Sequence, residues 1–494
     1  MAEESLAQVA SRSVLWMTAQ KWVSRVGALA TIVVLTRILT PEDFGLAAAA
    51  SALLPLVYVL SDVGFSTYIV QAAKLEQRTL STAFWFSLAS GGVLALVILG
   101  AAPFMGMLLN LPEVADLLRV LTLSVVAIAV GSVPLALMRR RLSFRSLAFM
   151  EATGAIVAQV AAISAALAGL GAWALVIQLM LSQMITTIWV WFAAKWTPTW
   201  QFSKRDFLRM GVFGTQVIGS GLVAVIREWL ETAIVVAGLG VREMGYLNIA
   251  QRLVLTAQDL TASALLPVSM SAFAKVRESP ERLRSSYLRA STIAYSAVMP
   301  LMVVVAVTAP VLVPFLFGSE KSFSAEVTPA LSVLVLLGLG VFIDQGLHLG
   351  AGRPARWFVF VLVGYSLAVA VTAGAVRYGL IPLVLAWVGV AVVDLVGRWF
   401  LVGTLLKVTP WNISAPLLGA LVPTTVAAAV GVGLMHILAG QTDVLVLATT
   451  GLGVLAAYLG TMRVFRLKAL QETLAVVPGP VARPVAKLLR VPRL

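Results

Sequence analysis

The 494 residues are 60% hydrophobic and only 12% charged, with a mean hydropathy of +0.97, whereas an ordinary soluble domain carries about 25% charged residues. A water-soluble fold is excluded. The chain has no Cys and two His, so disulfides and thiolate chemistry are excluded, a metal site has almost no ligands to draw on, and no cofactor is expected.

The apolar residues fall in long stretches free of Asp, Glu, Lys and Arg: residues 79–112, 152–194, 290–319, 357–376 and 408–442. A helical crossing takes about 20 such residues, so several stretches hold one pass or two. The segments of about ten alternating residues that mark a membrane β-barrel are missing, and the spanning elements are therefore expected to be α-helices.

In chain order, residues 1–12 are polar and lack the basic region and short apolar core of a cleavable signal, so the first helix is expected to be its own insertion signal. Splitting the stretches at Pro, Gly and charge clusters gives fourteen spans: 13–38, 43–70, 80–108, 114–137, 146–168, 172–194, 209–238, 243–273, 288–315, 327–349, 356–376, 379–402, 412–436 and 444–465. The tightest connections are Gly169-Leu-Gly171 and Arg377-Tyr-Gly379. Residues 468–494 mix Leu and Val with Arg, Lys and four Pro. That tail is expected to lie along the membrane surface rather than cross it.

The positive-inside rule tests the count independently. With both termini cytoplasmic, that side, counted with the helix ends that adjoin it, holds 27 of the 36 Lys and Arg, and the opposite side counted likewise holds four: Arg37, Arg242, Lys321 and Arg377. This asymmetry also accounts for the net charge of +14 through anionic membrane lipids, with no nucleic-acid partner required.

A shift of 200 residues aligns the segment from Ile38 to Ala50 with that from Gly238 to Ala250, placing Asp43-Phe-Gly45 on Glu243-Met-Gly245. Both copies sit at the turn between the first and second span of a six-span set. Parallel repeats of this kind relate two halves of a transporter about an axis along the membrane normal, with the substrate between them.

Thr36-Arg-Ile-Leu-Thr-Pro-Glu-Asp-Phe-Gly45, then Leu60-Ser-Asp-Val-Gly-Phe-Ser66 and Leu80-Ser-Thr-Ala-Phe-Trp85, resemble the amino-terminal region of the polysaccharide transporter (Wzx-type flippase) branch of the multidrug/oligosaccharidyl-lipid/polysaccharide flippase superfamily. Colanic-acid and teichuronic-acid exporters are nearest in pattern. The resemblance implies an all-α polytopic protein of the bacterial inner membrane with two pseudo-symmetric six-helix lobes, residues 1–200 and 201–405. Two further helices, 406–467, and the basic tail, 468–494, would follow. It also implies that the cargo is an undecaprenyl-pyrophosphate-linked oligosaccharide, a surface polysaccharide precursor.

An ionisable residue at the bilayer centre costs about 2.5–3.5 kcal/mol on insertion scales, so each is expected to face a partner or a polar cavity. Lys21 and Arg25 stand one turn apart in the first span with no acid on that helix, a pair that a pyrophosphate would relieve. Asp62 lies at the depth of Lys21 and is its expected counter-ion, leaving Arg25 as the better phosphate ligand. Arg227 and Glu231 have helical i,i+4 spacing, with Glu228 beside them and Arg252 at the depth of Glu231, which reads as a lumen network. Asp259 has no cation in view and is the candidate for exchanging a coupling H+ or Na+. His348 follows Asp344 by four residues and reads as a hydrogen-bonded helix end. Asp394 with Arg398, and Glu113 and Asp116 with Arg119, read as pairs near helix ends.

The alternative within transport is a cation-coupled multidrug antiporter. The two additional spans and the basic pair of the first span count against it. A membrane enzyme is not expected: the chain has no Asp-x-Asp, and its non-cytoplasmic loops are short for an active-site segment.

Overall fold

A computed structural model describes residues 27, 30–52, 54, 65, 68–69, 75–108, 111–141, 144–262, 273, 279–351 and 353–476. All regular structure among these residues is helical. In chain order the helices are α1 (Pro41–Ser51), α2 (Gln77–Leu108), α3 (Pro112–Arg140), α4 (Phe144–Leu167), α5 (Trp173–Ala194), α6 (Lys204–Leu239), α7 (Val241–Ala262) and α8 (Pro280–Phe317). They continue as α9 (Ser322–Gly338), α10 (Gly340–Gly350), α11 (Pro354–Ala375), α12 (Leu380–Leu406), α13 (Pro410–Ile437), α14 (Asp443–Phe465) and α15 (Leu467–Val476).

Among the described residues ten segments are long and apolar enough to cross a membrane, and they coincide with the third to sixth and ninth to fourteenth spans read from the sequence. The seventh and eighth spans form α6 and α7, which carry Arg227, Glu228, Glu231, Arg252 and Asp259. Of the first two spans the structure describes residues 27, 30–38, 43–52, 54, 65 and 68–69. One expected span, 327–349, is interrupted at Leu339, where α9 gives way to α10.

The tight connections have a local cause. Gly169 and Gly171 turn the chain at φ +78° and +54°, and Gly379 does so at φ +104°, a region that L side chains enter only at a cost. A Cβ on Gly171 would stand 2.6 Å from Asp43 Oδ1. The turn before α5 and the start of α1 thus lie on the same side, which an even number of crossings between them requires.

The chain divides into two compact units, Met1–Asn248 and Ile249–Leu494. In the first, α2 packs on α3, α3 on α5, and α4 on α5. Phe65, Phe84, Leu137, Met150 and Trp196 are among its buried core. The segment after α5 is tied back to the start of α2 by Trp196 Nε1 donating to Gln77 Oε1 at 2.8 Å and Trp85 Nε1 donating to the Thr199 carbonyl at 2.8 Å. Trp196 is thus a buried packing element, while Trp200 is 90% exposed and stacks on Trp85.

In the second unit α8 is the hub, packing against α9, α13 and α14. It is 38 residues long and contains Pro300, Pro310 and Pro314, which a membrane helix tolerates when neighbours re-satisfy the freed backbone groups. The first residues of the tail form α15, which packs on α8 and α14. At ten residues it is far too short to cross.

Candidate functional site

The expected pyrophosphate ligands Lys21 and Arg25, and the counter-ion Asp62, lie outside the described residues. On α6, Arg227 and Glu231 form the i,i+4 ion pair their spacing predicts, Nη1 to Oε1 at 3.2 Å, with the Glu231 side chain 13% exposed. Glu228, one residue after Arg227 and so on another face of the helix, is exposed. Arg252 is half-buried on the part of α7 that belongs to the second unit. Asp259 is a helical residue of α7 whose side chain lies outside the described residues.

Among the described residues the most enclosed charged side chains are Arg398 and Asp344. Arg398 was expected as an interfacial partner of Asp394 near a helix end, but it is 2% exposed. The reason is length: α12 runs to Leu406, so Arg398 sits eight residues inside the helix, about 12 Å from its end. Its guanidinium binds Asp344 Oδ2 at 2.8 Å, Asp394 Oδ2 at 2.9 Å and the Leu337 carbonyl at 2.6 Å. The other Asp344 oxygen accepts from the Tyr287 hydroxyl at 2.6 Å.

The break between α9 and α10 supports this cluster. A helix end leaves its last carbonyls without intrahelical partners, and Leu337, at the end of α9, offers its carbonyl to Arg398. At Gly340 a Cβ would stand 2.6 Å from Arg398 Nη1 and 2.8 Å from the Tyr295 hydroxyl, so a side chain there would require these groups to shift. The cation of Asp344 is thus supplied by α12. His348 reaches the Asp344 backbone carbonyl through Nδ1 at 2.7 Å rather than the carboxylate. It closes a helix end, as expected, by a contact to the main chain.

The internal repeat has a direct structural counterpart inside the first unit. Helices α1 and α7 begin at Pro41 and Val241, 200 residues apart. A Cβ on Gly45 would overlap the Val241 carbonyl oxygen, and a Cβ on Gly245 would overlap the Pro41 carbonyl oxygen. Each glycine thus receives the first carbonyl of the other copy. The acid of the first triplet serves its own helix: Asp43 Oδ2 accepts from the Thr40 N–H at 2.9 Å while Thr40 Oγ1 accepts from the Asp43 N–H at 3.2 Å, a capping box. Glu42 Oε1 lies 3.3 Å from Arg242 Nε, and Arg242 also donates to the Tyr246 hydroxyl at 3.3 Å. That hydrogen bond and the Glu42 carboxylate raise the Arg242 pKa above its ordinary value.

Among the described residues no three His or carboxylate side chains gather as a metal set. An open groove of about 450 Å³ lies where α8, α12 and α13 meet, lined by Arg284, Phe400, Thr404, Lys407 and Asn412 among others.

The amino-terminal motifs pointed to one family, and the comparisons return it. Residues 34–324, more than half of the chain, match the family model described as Polysaccharide biosynthesis protein. The chain is 27% identical over 377 residues to the succinoglycan biosynthesis transport protein ExoT of Rhizobium meliloti (strain 1021), covering 76% of this chain and 75% of that one. It is 26% identical over 314 residues to the lipopolysaccharide biosynthesis protein WzxC of Escherichia coli (strain K12), covering 63% of each. Its fold matches the lipid II flippase MurJ in an inward closed conformation with a TM-score of 0.74 at 13% identity, over 91% of this chain and 98% of that one. With its apolar helices, the chain is a multi-pass protein of the bacterial inner membrane. It belongs to the polysaccharide biosynthesis protein family.

Proposed function

We propose that the chain is a flippase that carries an undecaprenyl-pyrophosphate-linked oligosaccharide from the cytoplasmic to the outer leaflet by alternating access. The observation that carries this reading is membership of a polysaccharide biosynthesis family by a chain with the fold of a lipid-linked precursor flippase. In this reading residues 1–200 and 201–405 act as two six-helix lobes among fourteen spans, with both termini cytoplasmic, and the protein transports rather than catalyses. A multidrug exchange of organic cations accounts less well for a family defined by polysaccharide assembly.

Arg25 and Lys21 are proposed to bind the pyrophosphate, since a guanidinium presents a fixed fork of donors to phosphate oxygens. Arg227, Glu231 and Arg252 are proposed to line the polar path, and Asp259 to exchange the coupling ion. The groove beside Arg284 and Lys407 suits an anionic lipid headgroup of the cytoplasmic leaflet.

The test is deletion of the gene followed by leaflet-resolved measurement of the polyprenyl-linked precursor. Accumulation on the cytoplasmic leaflet, cleared by the wild-type chain and not by Arg25→Ala, is the expected result. A precursor that still reaches the outer leaflet without the gene overturns the reading, and Asp259→Asn transporting normally without an ion gradient removes the coupling role alone.

A further inference from the structure

Two helices end on a lysine in an uncommon backbone state. Lys195 follows α5 at φ +47° and Lys407 follows α12 at φ +55°, and among the described residues these are the two non-glycine positions with positive φ. The helices they end, α5 and α12, correspond to the sixth and twelfth spans read from the sequence, so the two lysines are counterparts. Glycine would hold either turn at lower cost. What lysine adds there is its charge.

In the first unit the chain itself fills the space beside that turn. Residues 195–203 connect α5 to α6 and fold onto the start of α2: Gln77 Nε2 donates to the Thr197 carbonyl at 2.7 Å, the Thr199 N–H to Ser81 Oγ at 3.0 Å and the Ser203 N–H to Thr82 Oγ1 at 2.9 Å. Nearby cations have partners. Arg78 Nε lies 3.5 Å from Asp206 Oδ2, and Arg141 Nη1 donates to the Ala194 carbonyl at 2.6 Å.

In the second unit only residues 407–409 separate α12 from α13, and the counterpart space, between the end of α12 and the start of α8, is the groove of about 450 Å³. Its charged lining is Arg284 and Lys407, and no carboxylate lines it among the described residues. Both cations are exposed, and neither has an ion pair or hydrogen bond from its side chain to another described residue. The start of α13 also adjoins the groove at Pro410 and Asn412, and Thr409 gives that helix end no side-chain cap. Two unpaired cations beside the positive end of a helix favour an anion. Phe400, 59% exposed on one wall, and Trp411, 74% exposed next to Pro410, are the aromatic groups that a membrane–water boundary attracts, which favours a lipid over a free ion. We propose that this groove seats the phosphate of an anionic phospholipid between Arg284 and Lys407, with its acyl chains leaving past Phe400. The lipid takes the place that residues 195–203 take in the first unit. Its assignment to the cytoplasmic leaflet rests on the orientation in the reading above.

The full-length chain, exchanged in detergent with equal amounts of phosphatidylglycerol and phosphatidylcholine, is expected to retain the anionic lipid with about tenfold preference, counted by mass spectrometry of the intact protein. Arg284→Gln/Lys407→Gln is expected to lose that preference. So is Arg284→Gln/Lys407→Gly, in which glycine suits the turn and guards against misfolding. Lys195→Gln, which removes the counterpart charge, is expected to keep it. A monodisperse double variant that retains the preference overturns the proposal, as does an equal loss in Lys195→Gln, which would trace the preference to net charge. Inorganic phosphate and a polyprenyl pyrophosphate, each at the concentration of the phosphatidylglycerol, are expected to leave the lipid bound. Displacement by the first would make the groove a site for a free anion and by the second a site for the cargo, and either overturns the proposal. Lipid retention is read without transport. If it depends on the two cations while the chain moves no lipid-linked glycan, the transport reading fails and the lipid site stands; glycan delivery by a chain with no lipid preference removes the site alone.

Discussion

The crossing of α1 and α7 in the first unit and the Arg398–Asp344 cluster in the second are both built where a glycine lets a polar group approach, yet they are opposites in burial. At Gly45 and Gly245 the approaching groups are main-chain carbonyls, and the neighbouring ion pair is about half exposed. At Gly340 the approaching groups are a guanidinium 2% exposed and a buried tyrosine hydroxyl. Exposed pairs exchange protein for water at little cost, whereas a buried pair cannot be parted without stranding a charge. The second arrangement suits a contact that holds α8, α10 and α12 in a single register.

The largest break in that comparison is Arg398→Met. It leaves Asp344 buried with Tyr287 as its remaining side-chain donor, and removing one member of a buried ion pair costs about 3–5 kcal/mol. The expected outcome is loss of most folded protein after mild heating in detergent, read by the fraction that remains monodisperse. Arg398→Met/Asp344→Asn removes the charge as well and is expected to recover most of the loss. A single variant as heat-resistant as wild type would show that the cluster does not fix the register.

Next in size is Tyr287→Phe, which deletes the 2.6 Å donor to Asp344. Hydrogen bonds to charged groups contribute about 1.5–3 kcal/mol, so the variant is expected to unfold at lower temperature than wild type while remaining assembled, as measured by a thermal ramp.

How legible these regions were differs for a physical reason. Hydropathy located the third to sixth and ninth to fourteenth spans because each is a long apolar run bounded by charge or glycine, and the turn at Gly169-Leu-Gly171 was marked by residues suited to positive φ. The 200-residue repeat marked the two helix starts, and there Gly45 lies against the Val241 carbonyl and Gly245 against the Pro41 carbonyl. Arg398 was read at the wrong depth, because depth was counted from an assumed end at residue 402 while α12 continues to Leu406. The pairing of Arg398 with Asp344, 54 residues earlier, carries no local sequence signal at all. A clue was the Gly338-Leu-Gly340 step, which breaks an otherwise apolar span beside a buried acid. The proposed ligands Lys21 and Arg25 rest on the sequence and the family alone.

Thr40→Ala tests the rigidity of the first region. It removes the hydroxyl that accepts the Asp43 N–H, a loss of about 1 kcal/mol for an N-cap. The start of α1 is expected to fray, so hydrogen exchange at 42–44 should speed up while the amides of α12 are unaffected. Equal protection in the variant and wild type would mean that the capping box does not hold the helix end.

The smallest effect is expected at the Glu42–Arg242 pair beside the crossing of α1 and α7. Glu42→Gln keeps the shape of the side chain and removes its charge, and because both partners are substantially exposed, no change in thermal stability should be measurable. Its consequence lies in how tightly the crossing shields the residues within it. A thiol placed at either member of the pair would itself delete the pair, so the informative reporter is Pro41→Cys, at a buried position whose main chain rests on Gly245 when the crossing is formed. Adding Glu42→Gln to that reporter should raise its labelling rate by less than about fivefold, the range of an exposed pair. Screening should produce the same rise without the mutation. At about 1 M salt, where charges are screened within about 3 Å, the reporter with Glu42 intact should label as fast as the Glu42→Gln version. A salt response that persists undiminished in Glu42→Gln would locate the electrostatic control of this crossing on some other pair.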